Sequence, residues 1–256
     1  MPGSGFAGGF STNLGDSGGF GGGFYAPRRA NEIVTSGLIL HYDIGNASSY
    51  PGSGGTVTDL AGNSNATLYN GPTYSGGYLT FDGSNDTLIT NTSLASKVPT
   101  DITSIMMWAY PMDNGVLLSE IGTSALPNAA GWHDSQMEMV GGTMKFGMWN
   151  GVAIASVTST VATPLNAWYH FAMVYDGTKL NAYVNGAAAG SVTFARQNPV
   201  EVGNGLFYAI GATDITNMGD GSYASMRLGQ FQVYSTALTA AEVAQNFSAS
   251  RLTYGV

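Results

Sequence analysis

From Gly37 onward the apolar positions recur with a period of two or as short unbroken runs, each closed by a turn signal, a pattern that predicts β-strands. Ser104 to Tyr110 is an apolar run ended by Pro111, as expected of a strand buried on both faces. Met137 and Met139 alternate with Gln136 and Glu138. Gly141-Gly142 then turns the chain into Met144, Phe146 and Met148, which alternate with Lys145, Gly147 and Trp149, so the segment predicts a hairpin. Trp168 to Tyr175 is apolar on both faces and predicts a central strand, whereas Leu180, Ala182 and Val184 give the next strand one inward face. Asn150-Gly151, Asp176-Gly177 and Asn185-Gly186 place residues tolerant of positive φ between these runs. The result is a β-meander, which needs a second layer to cover it.

One helix is predicted near the C-terminus. Thr239 serves as its N-cap, Glu242 completes a capping box, Leu238 staples onto Val243, and Val243 and Phe247 face the sandwich. Residues 1–36 are different in kind. Phe6, Phe10, Phe20, Phe24 and Tyr25 stand among glycines and cannot enclose a core, so this segment is either a disordered tail or an arm that docks its aromatic rings on a neighbour. The chain thus divides into a Gly/Phe-rich N-terminal arm (1–36) and an all-β domain (37–256).

Composition narrows the picture. Glycine at 37 of 256 residues, with 14 Tyr and 11 Phe, suits short strands joined by tight turns. Charged residues make up 9%, and the formal net charge of −8 repels phosphate backbones, which argues against nucleic acid. There is no cysteine, so disulfides and thiolate metal sites are excluded. No basic region followed by an apolar stretch opens the chain and no run of about 18 apolar residues occurs, so neither a secretory signal nor membrane insertion is expected. Five Asn-x-Ser/Thr sites (Asn46, Asn65, Asn85, Asn91, Asn246) read as turn and strand-edge residues.

Several ordered segments resemble one family. Gly37 to Asp43 looks like its opening strand, Asp59 to Asn63 like the loop that follows, and Leu79 to Asp86 like its FDG-x-(N/D)D segment. Trp108 matches a strand tryptophan, and Trp168 through Asp176-Gly177 to Asn185-Gly186 matches the family's most characteristic hairpin. Ala209-Ile210-Gly211, then Gly229 to Tyr234, then Ala237 to Val243 match the closing strands and helix. Over nearly all of residues 37–250 the chain resembles the laminin G-like branch of the concanavalin A-like lectin/glucanase superfamily. That resemblance implies a two-sheet antiparallel jelly roll of about 12–14 strands. The segment from Gly37 to Tyr74 also resembles structural proteins of tailed bacteriophages, notably those infecting cyanobacteria, although Val57 stands where those often carry Trp.

The resemblance implies a non-enzymatic virion protein, made in the host cytoplasm, that decorates the capsid or forms part of a tail or fibre. The arm would fasten it to other virion proteins, and a homo-oligomer such as a trimer would multiply weak contacts with host-surface glycan. The alternatives are a stand-alone carbohydrate-binding lectin-like module and, third, a glycan hydrolase.

Candidate chemistry is sparse. Gly15 to Gly19 spells the GDSGG of chymotrypsin-like proteases, but no His precedes residue 41. Gly3-x-Gly5-x-x-Gly8 has no strand before it and no helical pattern after it. Retaining glycoside hydrolysis needs two carboxyls about 5–5.5 Å apart, whereas Glu120, Glu138, Glu201 and Glu242 are scattered and read as solvated positions. His41, His133 and His170 read as structural. No cofactor is required. Calcium is the one candidate, with Asp82, Asn85, Asp86, Asp214 and Asp220 as oxygen ligands, against the alternative that these residues cap turns. For a glycan, an exposed aromatic beside hydrogen-bonding groups is needed. Trp132, His133 and Asp134 in a loop, and Trp149 with Asn150 at a turn, are the candidates, while Trp108 and Trp168 read as core.

Overall fold

The computed structural model describes residues 32–98, 102–122, 133–150, 152–196, 205–212 and 223–256, with residues 133–136 described by their backbone only. The predicted contacts of Phe6, Phe10, Phe20, Phe24 and Tyr25 therefore lie outside the described residues, as do Trp132, Asp214 and Asp220.

Among the described residues sixteen strands are formed: β1 (Leu38–Asp43), β2 (Thr56–Val57), β3 (Ala66–Tyr69), β4 (Thr73–Ser75), β5 (Tyr78–Asp82), β6 (Thr87–Thr90), β7 (Thr103–Pro111), β8 (Gly115–Ile121), β9 (His133–Val140), β10 (Thr143–Trp149), β11 (Ile154–Thr158), β12 (Tyr169–Tyr175), β13 (Lys179–Val184), β14 (Ala187–Thr193), β15 (Phe207–Ile210) and β16 (Ser225–Tyr234). The count exceeds the expected 12–14 because it includes two- and three-residue pairings such as β2 and β4. All ladders are antiparallel, and they build two eight-stranded sheets. The front sheet runs β14-β13-β12-β7-β16-β5-β4, and the back sheet runs β11-β10-β9-β8-β15-β6-β3-β2. β1 joins the front sheet along β16, lying end to end with β5 on the same edge of that strand.

The turn chemistry works as its residues require. Gly141 and Gly142, with φ of 57° and 74°, close the β9–β10 hairpin, and Asn185 and Gly186, at 51° and 75°, close β13–β14. These positive angles are those of the two-residue turns that match strand twist. The predicted central strand β12 is buried along its whole length between β13 and β7.

Alternate residues of a strand point to opposite faces. On β7, Ile105, Met107 and Ala109 enter the main core between the sheets, with Phe146 and Met144 facing them from the back sheet. Met106 and Trp108 therefore stand on the outer face of the front sheet. Met106 packs there with Tyr234, Val174, Leu238 and Val243 in a second cluster. Helix α1 (Ala240–Ser250) covers this face. Its capping box is present as predicted, the Thr239 side chain accepting from the Glu242 N–H while the Glu242 carboxylate accepts from the Thr239 N–H. A 3-10 turn, Arg251–Tyr254, extends it.

Val34 is 1% exposed within that second cluster, so the packed body engages the chain several residues before the expected start at Gly37. Glu120 also departs from expectation. It is 4% exposed, because β8 lies between β9 and β15 in the middle of the back sheet. Among the described residues, no helix is long and apolar enough to cross a membrane.

Candidate functional site

The outer face of the front sheet carries a continuous run of aromatic rings, half of it under α1 and half open. Trp108 (β7) forms the covered end. It stacks on Phe247 at 5.7 Å and on Tyr254 at 4.4 Å, and its Nε1–H donates to Ser250 Oγ at 2.8 Å. His170, opposite Trp108 on β12, lies 5.3 Å from the indole. It is fully enclosed, and burial lowers its pKa to about 3, so it is neutral at ordinary pH.

The open end follows directly. Trp168 immediately precedes β12. Since Tyr169 pairs with Ala109, alternation places Trp168 on the outer face beside Tyr110. Its ring lies 4.7 Å from Tyr254, 5.6 Å from Tyr110 and 5.7 Å from Tyr78. Tyr78 begins β5 just after a two-residue turn in which Gly76 and Gly77 take φ of 60° and 89°. That turn tucks against Gly45, where a Cβ on Gly77 would meet the Gly45 Cα at 3.4 Å.

Together these segments line a groove of about 420 Å³ formed by Asp43, Gly45, Tyr74, Gly76, Gly77, Tyr78, Trp168, Thr253 and Tyr254. The volume falls in the range of small-molecule sites. Asp43 is its one carboxylate among the described lining residues, with Oδ1 accepting the Gly45 N–H at 3.2 Å. Burial, with the Asp43 charge adding to it, pushes the Tyr254 hydroxyl far above the usual phenol range. Tyr254 is therefore a neutral donor. At the groove's far margin the Arg227 guanidinium lies over Tyr78 (5.0 Å) and Tyr110 (4.7 Å). Gly229, at a bulge in β16, lets Tyr254 lie against the sheet, since a Cβ there would collide with the Tyr254 ring.

Chemically, such a groove offers half-buried aromatic faces, a carboxylate acceptor and a phenol donor. These are the elements that hold a sugar ring by its apolar face and its hydroxyls.

The sequence-predicted residues lie elsewhere. Trp149 ends β10 in the back sheet, 39% exposed beside its cross-strand partner Ile154. Asn150 caps the turn that follows, its Oδ1 accepting from the Val152 and Ala153 N–H groups. His133 and Asp134 belong to strand β9, opposite Ile121 and Glu120, and not to the expected loop. Asp82 Oδ1 accepts from the Ser84 and Asn85 N–H groups, and Asp86 Oδ2 accepts the Asp82 N–H. Both carboxylates thus serve the β5–β6 turn. Among the described residues no three of His, Cys, Asp or Glu converge as a metal-holding group.

Trp168, read from the sequence as core, is half-buried and forms a wall of the groove. The signal that would have found the site is Tyr74-Ser75-Gly76-Gly77-Tyr78, two tyrosines bracketing a tight turn, together with a tryptophan one residue before a central strand.

Comparison with known proteins places this architecture. The chain superposes on Trypanosoma rangeli sialidase in complex with sialic acid with a TM-score of 0.61 at 12% identity, covering 88% of this chain and 35% of that one. Botulinum neurotoxin type C, which interacts with two ganglioside molecules to get into cells, gives 0.61 at 12% identity over 83% of this chain and 51% of the toxin chain. The botulinum neurotoxin serotype D binding domain gives 0.59 at 15%, over 84% and 52%. This chain thus spans about a third of the sialidase and half of the toxin chains, and at such identities the likeness is one of fold. No curated protein sequence matches it. Residues 56–244 match the Laminin_G_3 family model, described as the concanavalin A-like lectin/glucanases superfamily. With a two-sheet antiparallel sandwich, a closing helix and a match over most of its length, the chain belongs to the concanavalin A-like lectin/glucanase superfamily.

Proposed function

We propose that the chain is a non-catalytic glycan-binding module whose groove, walled by Tyr78, Trp168 and Tyr254, holds a saccharide. The observation that carries this reading is the groove itself: aromatic walls with one carboxylate, Asp43, among its described lining residues. Glycoside hydrolysis ordinarily needs two facing carboxyls, so one acid favours holding a sugar over cleaving it. Support also comes from the solved structures that share this fold, which are described with sialic acid and with gangliosides. A glycan array and titration calorimetry with the wild-type chain and Trp168→Ala test it. Binding that weakens at least tenfold in the variant is expected, and no binding at millimolar saccharide overturns it.

The module's setting is proposed to be a bacteriophage particle, as capsid decoration or as a tail or fibre component, with residues 1–36 fastening it to neighbouring virion proteins or to its own copies. Support comes from the resemblance of the Gly37–Tyr74 segment to phage structural proteins and from the aromatic rings spaced among glycines in the arm. Peptide mapping of purified particles and the mass of the isolated chain in solution test this setting. Absence from particles, with a monomer that deletion of residues 1–31, stopping short of the buried Val34, leaves unchanged, would sink it.

A further inference from the structure

Arg227 is held differently from Lys145, Lys179 and Arg196 among the described cations. Lys145 pairs with Glu138 at 3.7 Å, Lys179 sits beside Asp176, and Arg196 donates to the Trp149 carbonyl at 2.9 Å. Arg227 instead projects from β16 onto the open end of the aromatic face, where its guanidinium is clamped between Tyr78 and Tyr110. Its Nε is buried and has no hydrogen-bond partner among the described residues. In a chain with 16 acids against 8 bases, no described carboxylate neutralises this cation.

A buried guanidinium donor without an acceptor is costly, because it forfeits its bond to water without replacement. A planar fork packed against two rings loses little freedom on binding, and its geometry matches a two-oxygen anion. The position relative to the groove gives this meaning. Tyr78 is shared: it lines the groove with Trp168 and also carries Arg227 at 5.0 Å. A ring stacked in the groove therefore has, one tyrosine away, a cation waiting for a negative group on the same ring's substituent or on the next residue.

We propose that the groove selects acidic saccharides, with Arg227 receiving the carboxylate or sulfate of the sugar while Trp168, Tyr254 and Asp43 hold the ring and its hydroxyls. This assignment rests on the glycan-binding reading of the same groove. It adds a ligand class and a specificity-determining residue.

The test is calorimetric titration of the full chain with four oligosaccharides of matched length: a uronate-containing one, a sialylated one, a sulfated one and a neutral one. Wild-type chain is expected to prefer at least one acidic form by about ten- to hundredfold, the span of charge-assisted hydrogen bonds. Which acidic form leads distinguishes carboxylate from sulfate. Arg227→Gln is expected to bring the acidic-to-neutral ratio close to one, and Arg227→Lys to restore part of it, since lysine keeps the charge and loses the fork. Equal affinity of wild-type chain for acidic and neutral sugars, or an unaltered ratio in Arg227→Gln, overturns the assignment and leaves the glycan reading intact. Failure of all four to bind overturns both. Circular dichroism melts of each variant separate lost binding from lost folding.

Discussion

The Asn246 side chain accepts the backbone N–H of Val34 at 2.8 Å, joining positions 212 residues apart beneath helix α1. Its Nδ2 donates to the Tyr234 hydroxyl at 3.0 Å, and that hydroxyl donates to the Val34 carbonyl at 2.9 Å. Asn246, Tyr234 and Val34 are each at most 1% exposed, so this closed ring of bonds replaces water entirely. Asn246 also occurs in an Asn-x-Ser/Thr triplet, and its burial leaves no room for a glycan. Asn246→Ala leaves the Val34 N–H without an acceptor and removes a donor from Tyr234, at a cost of about 2–4 kcal/mol. Urea unfolding should show a lowered midpoint with an unchanged slope.

His170 makes the fold acid-sensitive. Its pKa falls from 6.5 in the unfolded chain to about 3 in the fold, because burial against Trp108 and Phe247 penalises the charged form. Below pH 6.5 the unfolded chain takes up a proton that the folded chain refuses, so the stability tied to neutral His170 is complete above 6.5 and drains away as pH falls toward 3. Between pH 6.5 and 5 the loss is roughly 2 kcal/mol. His41, also lowered by burial, adds to it in the same direction. His170→Phe should flatten the pH dependence of the melting temperature over this window. An unchanged slope would mean that other groups dominate.

Tyr254 reaches Trp108 and Trp168 only because residue 229 has no Cβ. Gly229→Ala pushes the phenol off both indoles, costing about 1–3 kcal/mol. Tryptophan fluorescence should change with saccharide affinity in this variant, whereas a remote loop substitution should move neither.

The calcium candidates give a contrasting expectation. Since Asp82 and Asp86 accept backbone N–H groups at the β5–β6 turn, millimolar calcium should leave the melting temperature unchanged, and Asp82→Ala should cost about 1 kcal/mol. A calcium-dependent rise in melting temperature would instead assign these side chains to a metal.

Much of the fold was readable because its determinants are local. The alternation in Met137 to Met148, the Asn185-Gly186 turn and the Thr239–Glu242 capping box each act within a few residues, and each appears where expected. The groove was not readable, because it unites Asp43, Tyr78, Trp168 and Tyr254 from four separate segments, which only the pairing of β1, β5 and β7 with β16 brings together. Trp168 misled for a related reason. An apolar residue beside a central strand reads as core, yet period-two alternation gives the front sheet two apolar faces, and α1 covers only part of the outer one. Glu120 misled in the opposite sense, since polarity signalled solvent at a position enclosed by its neighbours.

β16 occupies an interior position in the front sheet while following every other strand among the described residues, and it zips simultaneously to β1, β5 and β7. During synthesis the earlier strands must wait as unpaired edges until residues 225–234 leave the ribosome, so assembly is dominated by contacts remote in sequence and runs slowly. A nascent or truncated chain lacking this strand has no way to close the sheet. Truncation before residue 225 is consequently expected to yield aggregates, however intact the preceding hairpins.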